Sequence, residues 1–405
     1  MTCNRRDFFK LAGLAGAASF APRLAFAQTA AVARSSDTLI VVYLRGGMDG
    51  LNVVAPYADA NYYRLRPSVN VPRPGMAGGA LDLDGFFGLN PALAPIAPLY
   101  QSGKLAVVQA AGFRQASRSH FECQDRMERA TLDLNLVSSG WLNRHLATVG
   151  VGETFQAVAM GRAVQASLRG AAPVIGLATI GEFTIRTTSQ RKGEIMNAFA
   201  SIYDDASALS ASSTQALEAV DQLAEASPAK FPVEGNAAYP ATTFGTQMKE
   251  VGQLIKAGLG LQYACIDLGG WDHHDDEINE LTPLLDELSR TLVALDTDLG
   301  GRMANVTVVT MTEFGRRARE NASRGTDHGA GSLMMLMGGG VIGRTVYRNW
   351  PGLADANLYN GDLEVTTDYR AVLSEILDKR MGGTDLAKVF PGYAAQPALG
   401  ALLRR

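Results

Sequence analysis

Cysteine is scarce in this chain, with three in 405 residues. Cys3 lies in the leader segment. Cys123 and Cys265 can form one bridge at most, which excludes a disulfide-built scaffold. Long hydrophobic runs are missing as well. A membrane-spanning helix needs about 20 consecutive apolar residues, and no segment past the leader supplies them. Positive charge is not in excess either: 37 Lys and Arg stand against 40 Asp and Glu, for a formal net charge of −3. Without a dense basic patch, a nucleic-acid backbone is excluded as a partner. Internal repeats and low-complexity tracts are absent. What remains is an ordinary globular composition, 47% hydrophobic and 19% charged, in a chain long enough for a large core.

The first residues carry a distinct signal. "NRRDFFKLAGLAGAASFAPRLAFAQ" places Arg5 and Arg6 ahead of Phe8, Phe9 and Lys10. A mildly apolar stretch rich in Gly and Ala follows, ending in Ala25-Phe26-Ala27 before Gln28. Residues 1–27 look like a twin-arginine export signal with its cleavage site. A membrane anchor is the other reading, but the stretch is short and weakly hydrophobic for a span. The expected product is periplasmic or secreted, with the twin-arginine translocase as its partner during export and no stable span after cleavage. That route carries folded proteins, often ones that load a metal first. Residues 28–37 read as a polar linker and 38–405 as one domain with loop insertions.

Past the linker, continuous apolar runs alternate with amphipathic ones. "TLIVVYL" (Thr38 to Leu44), "KLAVVQAAG" (Lys104 to Gly112), "LQYACIDLGG", "NVTVVTMTEFGRR" and "SLMMLMGGGV" read as buried strands. "FQAVAMG" and "PVIGLAT" are shorter strand candidates. "LAPIAPLYQSG", residues 190–226, residues 243–259 and "INELTPLLDELSRTLVALDTDL" read as helices. Pro67 to Pro91 reads as a loop excursion over the active face. Apolar strands alternating with helices predict a three-layer α/β/α sandwich around a mostly parallel sheet.

Ligands of open α/β sheets bind at the carboxyl ends of the strands, and the chemistry-bearing residues fall there. Asp49 follows the first strong strand. Ser117, Ser119 and His120 follow the second. Asp272, His273 and His274 follow the third. Glu313, Arg316 and Arg317 follow the fourth, and Asp327 with His328 stands just before the fifth. Four of the five histidines lie in these loops. Carboxylate and imidazole donors suit divalent cations, zinc or manganese, one or two ions. Two ions about 4 Å apart could clamp the attacking and leaving oxygens of a phosphoryl-type transfer, with a serine as nucleophile. Plainer readings stand beside these. Asp49 in "GGMDG" suits a turn, Asp272 to Glu277 suits a helix start, and Ser119 suits an N-cap. Glu313 could simply pair with Arg316 or Arg317. His145 reads as structural.

"LRGGMDGLN", "RSHFECQD", "GGWDHH", "TEFGRR" and "GTDHGAG", in this order, resemble the alkaline phosphatase/sulfatase superfamily. Within it the chain looks like an uncharacterised bacterial family of exported proteins known as a domain of unknown function. The resemblance covers nearly the whole mature chain. It implies an alkaline phosphatase-like fold and hydrolysis of a phosphate or sulfate ester, on a small molecule or a glycan. It also implies metal ligands at Asp49, Asp272, His274, Glu313, Asp327 and His328. Ser119 is the implied nucleophile, and His120, Arg118 and Arg316 complete the catalytic set, the arginines gripping an oxyanion. Phe314 departs from the pattern, standing where a ligand histidine would be. The sulfatase nucleophile motif is also absent, since "CQDRM" around Cys123 lacks its proline. The other class kept open is a non-catalytic exported binding or assembly protein that retains the fold and one metal.

Overall fold

The computed structural model describes residues 37–114, 117–150, 152–183, 191, 193–195, 208–383 and 385–405. The expected signal, and the expected linker up to residue 36, lie outside the described residues. Asp37, assigned to that linker, is fully buried and paired with Arg380 at 2.6 Å and with Arg405. It anchors the entry to the first strand.

Eight of the strands needed here form one sheet: β1 (Thr38–Arg45), β2 (Leu105–Gly112), β3 (Ala157–Met160), β4 (Ile175–Leu177), β5 (Tyr263–Gly269), β6 (Val306–Met311), β7 (Ser332–Gly338) and β8 (Thr345–Tyr347). Their order is β8-β2-β7-β6-β1-β5-β3-β4. A ninth, two-residue strand, β9 (Thr367–Asp368), pairs with β2. β1 runs parallel to β5 and β6, and β7 is antiparallel to both of its neighbours. β7 is the one reversed strand among those described. The fold is α/β with a mostly parallel sheet.

Side chains alternate across a strand, so β1 feeds two cores. Ile40, Val42 and Leu44 face one cluster, and Leu39, Val41 and Tyr43 face the other. The first cluster is covered by α4 (Thr243–Lys256) through Phe244, Met248 and Val251, and by α5 (Glu277–Leu299) through Leu285, Leu288 and Leu292. The second is covered by α1 (His120–Arg129) through Met127, α2 (Trp141–Val149) through Trp141 and Leu142, and α6 (Tyr369–Arg380) through Leu373 and Ile376. Helices on both faces make three layers. Each fully buried Leu or Ile adds about 1.5–3 kcal/mol, and a strand buried on both faces admits few polar residues, such as Gln109 and Thr310, whose side chains are hydrogen-bonded. That is why these strands read as unbroken apolar runs.

Some segments differ from the sequence reading. "LAPIAPLYQSG" is a 3₁₀ turn, Pro91–Ile96, followed by a short helix, Ala97–Gln101. Pro95 and Pro98 lack the N–H groups that a continuous helix would use. Of residues 190–226, the helix α3 spans Ala208–Ala226, and most of the preceding residues lie outside those described. Cys123 and Cys265 are separate, buried free thiols. No helix among the described residues is long and apolar enough to cross a membrane.

Candidate metal centre

The sheet order decides which loops meet. β2, β7, β6, β1 and β5 are consecutive neighbours. The carboxyl ends of β2, β6, β1 and β5 therefore line one edge. β7, being reversed, brings its amino end to that same edge. This is how His328, which precedes β7, joins residues that follow the other strands. Close backbone approach brings the loops together. A Cβ on Gly46, at φ +128°, would lie 2.6 Å from the backbone N of Asp272. One on Gly325 would lie 2.2 Å from the carbonyl oxygen of His274. Only glycine fits such contacts.

Three histidines converge there on one carboxylate. His120 Nε2 lies 3.2 Å from Asp272 Oδ2. His274 Nε2 and His328 Nε2 each lie 3.1 Å from Asp272 Oδ1, and 2.9 Å from each other. His120, Asp272 and His328 offer donor atoms that all lie within 4.8 Å of one another. The other ring nitrogen of each histidine is engaged from behind. His120 Nδ1 meets Glu313 Oε1 at 2.8 Å. His274 Nδ1 meets Asp327 Oδ1 at 3.1 Å. His328 Nδ1 meets the carbonyl oxygen of Arg118 at 2.7 Å.

The proton positions follow. A carboxylate and a carbonyl can only accept, so with a cation at the centre each imidazole would carry its proton on Nδ1. Each Nε2 then presents a lone pair to the centre. The Nε2 atoms of His274 and His328, 2.9 Å apart beside a carboxylate, call for a shared proton or a cation between them. A tetrahedral zinc ion with bonds of about 2.0–2.1 Å holds its donors roughly 3.3 Å apart, close to the spacings here. A backing acceptor on Nδ1 is also the arrangement that orients metal-bound histidines. The residues present fit a divalent ion held by His120, Asp272 and His328, with His274 beside them.

Electrostatics agree with this geometry. Burial raises the Asp272 carboxyl, but the hydrogen bond and charge of Arg316, together with the His328 contact, outweigh it and bring it down to about 2. Its hydrogen bond to Glu313 raises His120, while burial lowers His328. Glu313 is buried, and it is held ionised by His120, by Gln124 Nε2 at 2.9 Å and by the Gly46 N–H at 2.9 Å. The floor is aromatic. Phe314 packs on His120 and His328 with ring centroids 4.9 and 4.7 Å away. The centre stays open above, since the side chains of Asp272 and His274 are 46% and 40% exposed.

The other expected residues take different places. Glu313 and Asp327 stand behind histidines, not at the centre. Arg316 is fully buried and donates to the carbonyls of Gly46, Gly47, Trp271 and Thr326 and to Asp272 Oδ1. It ties three loops together and has no surface to offer an oxyanion. Arg118 is part-exposed and paired with Asp362 at 2.6 Å. Ser119 is exposed at the start of α1 and its side chain does not cap that helix. His145 is a core residue whose Nε2 lies 2.8 Å from the Tyr263 hydroxyl.

Asp49 stands apart from the histidine cluster. Its carboxylate is held by Arg66, both side chains at most 1% exposed, and it caps the short helix that follows by accepting from the Leu51 N–H. Burial and the neighbouring Asp49 charge push Glu277 well up, so the proton of this pair sits on Glu277. Asn52 and Thr326 bond the two Glu277 oxygens, each at 2.8 Å. Sequence reading missed Arg66, Glu277 and Gln124. Only Gln124 had a signal, lying four residues after His120 on one helix face.

The model of the family described as "Protein of unknown function (DUF1501)" matches residues 109–391. The chain belongs to this family. The DUF1501 match takes in all four central residues together with Glu313 and Asp327, while Asp49 and Arg66 lie before it. No curated protein matches. Among solved structures, the lipoteichoic acid synthase LtaP from Listeria monocytogenes is 8% identical. That alignment covers 88% of this chain and 77% of LtaP, with a TM-score of 0.35. The PsFucS1 sulfatase from Pseudoalteromonas sp. is 12% identical, with 98% and 76% coverage and a TM-score of 0.33. At such TM-scores neither likeness carries an argument. The reading of this DUF1501 centre rests on its own geometry.

Proposed function

We propose that this chain is an exported, metal-dependent hydrolase of phosphate or sulfate esters. The observation that carries the proposal is the convergence of three histidine Nε2 atoms on the part-exposed Asp272 carboxylate. When bound, a zinc or manganese ion would supply Lewis acidity there, polarising an ester oxygen and easing deprotonation of a nearby hydroxyl. One such donor set accounts for one ion. Ser119, at the head of α1, is the nucleophile: its Oγ loses its proton to solvent and bonds to phosphorus or sulfur, the ester oxygen departs and takes a proton from water, and a second water then cleaves the seryl ester, releasing phosphate or sulfate and restoring the hydroxyl. The N–H groups that open α1 and the part-exposed Arg118 receive the oxyanion. Glu313, Asp327 and the Arg118 carbonyl hold the imidazoles in place. Export by the twin-arginine translocase and a small-molecule or glycan ester as substrate belong to the same proposal.

The test is Ser119→Ala, assayed on 4-nitrophenyl phosphate and 4-nitrophenyl sulfate, with elemental mass spectrometry of both proteins. The expected result is turnover lost and metal retained. A second reading, a non-catalytic exported protein keeping one metal, is favoured by the Arg66 neutralisation of Asp49 and by the burial of Phe314. Metal in both proteins with turnover in neither selects it.

A further inference from the structure

A cleft of about 430 Å³ opens beside α1. It is linked to the metal centre through Gln124. That side chain lines the cleft and donates to the Glu313 oxygen that also holds His120. One helical turn, about 5.4 Å along the axis, separates Gln124 from His120. The floor is Arg45, held by Asp267 at 2.9 Å, by Glu128 at 3.1 Å and by Gln124 Oε1 at 3.2 Å. Gln165 and the exposed Arg169 add polar groups. At the mouth stands Phe121, 88% exposed.

The chemistry of this lining selects a ligand class. Arg45 is matched by carboxylates, so the floor holds no surplus charge to draw in a bare ion. It presents donors and acceptors closely interleaved, as guanidinium, amide and carboxylate. Phe121 adds one flat apolar surface at the rim. A sugar ring has the complementary design, with hydroxyls that each donate and accept around its edge and an apolar C–H face. The volume lies in the range of small-ligand sites, which starts near 300 Å³.

We propose that this cleft binds a sugar ring of a glycan, its C–H face on Phe121 and its hydroxyls on Arg45, Gln165 and Arg169. An ester group borne by a bound glycan would then reach Asp272 and the three histidines. That last step rests on the hydrolase reading, while sugar binding does not.

The experiment probes an array of neutral, O-sulfated and O-phosphorylated oligosaccharides with the metal-loaded mature protein. Phe121→Ala, Arg169→Ala and Ser119→Ala are run beside it. The expected result is a bound set of oligosaccharides, weakened about tenfold by Phe121→Ala and also weakened by Arg169→Ala. Ser119→Ala keeps full binding. Because Phe121 lies on the surface, its variant should keep the wild-type melting temperature. No bound oligosaccharide, or binding indifferent to both cleft variants, overturns the proposal. Ester turnover without sugar binding leaves the hydrolase reading standing alone. Sugar binding that depends on Phe121, without ester turnover, leaves the cleft and removes the hydrolase.

Discussion

Asp49 and Asp272 follow β1 and β5, which lie side by side in the sheet, yet their charges are met in different ways. Asp49 is sealed. Arg66 neutralises it at full burial, and Glu277, protonated, shares the same pocket. Asp272 is open. It is half exposed, and beside the buried Arg316 it faces the Nε2 atoms of three imidazoles. A carboxylate buried with its own guanidinium has no side left for a ligand. Asp272 shares the Arg316 guanidinium but keeps an exposed side toward the imidazoles. The difference shows that position at a strand end does not by itself make a metal ligand; the partner does.

The comparison breaks most sharply at Arg66. Arg66→Met leaves Asp49 buried and unpaired, and should cost about 3–5 kcal/mol in denaturant unfolding. Metal content of the folded protein should not change. If metal is lost along with stability, the two regions are one site and the contrast fails.

Chelation probes the open half. Removing a metal supplied at about 1,000 times its dissociation constant should lower stability by about 4 kcal/mol, seen as a drop in melting temperature that zinc restores. His274→Ala and His328→Ala should lack this response, and Asp49→Asn should keep it. A melting temperature indifferent to chelator would remove the metal from the account.

A smaller effect is due at the backing groups. Glu313→Gln keeps an oxygen for His120 Nδ1 but removes the charge, and should weaken metal binding about 10–100-fold without abolishing it. Loss of all metal would put Glu313 at the centre instead of behind it.

His145 is the control, a histidine whose place needs no cation. Burial lowers it to about 3. A depressed folded value means stability is complete above the unfolded value near 6.5 and declines as pH falls toward 3. By pH 5 the loss should be about 2 kcal/mol. His145→Gln should flatten that part of the stability–pH curve, and an unchanged slope would contradict the assignment.

The layered fold was legible because burial on both faces writes itself into a strand as an unbroken apolar run, as in "TLIVVYL" and "SLMMLMG". The site was legible as a set of loops, because His120, Asp272, His274 and His328 sit next to strand ends. Their roles were less so. Glu313 and Asp327 carry the same carboxylate as Asp272, and nothing in a sequence separates a group that faces an ion from one that faces the back of an imidazole. Arg316 follows Glu313 closely enough to suggest an oxyanion grip, but its carbonyl partners Gly46, Gly47 and Trp271 come from two loops distant in sequence. Arg66 lies in "YYRLRPS", where no spacing pairs it with Asp49.

By itself, then, the sequence determined the elements, their alternation and which loops hold donor side chains, since periodicity and hydrophobicity are local properties. Tertiary structure decided the reversed β7, the side of each histidine that meets an acceptor, the capture of Asp49 by Arg66 and the cleft beneath Phe121. Those depend on distances between segments up to more than two hundred residues apart, such as Arg118 and His328 at 210, and only packing brings such segments within reach of a hydrogen bond.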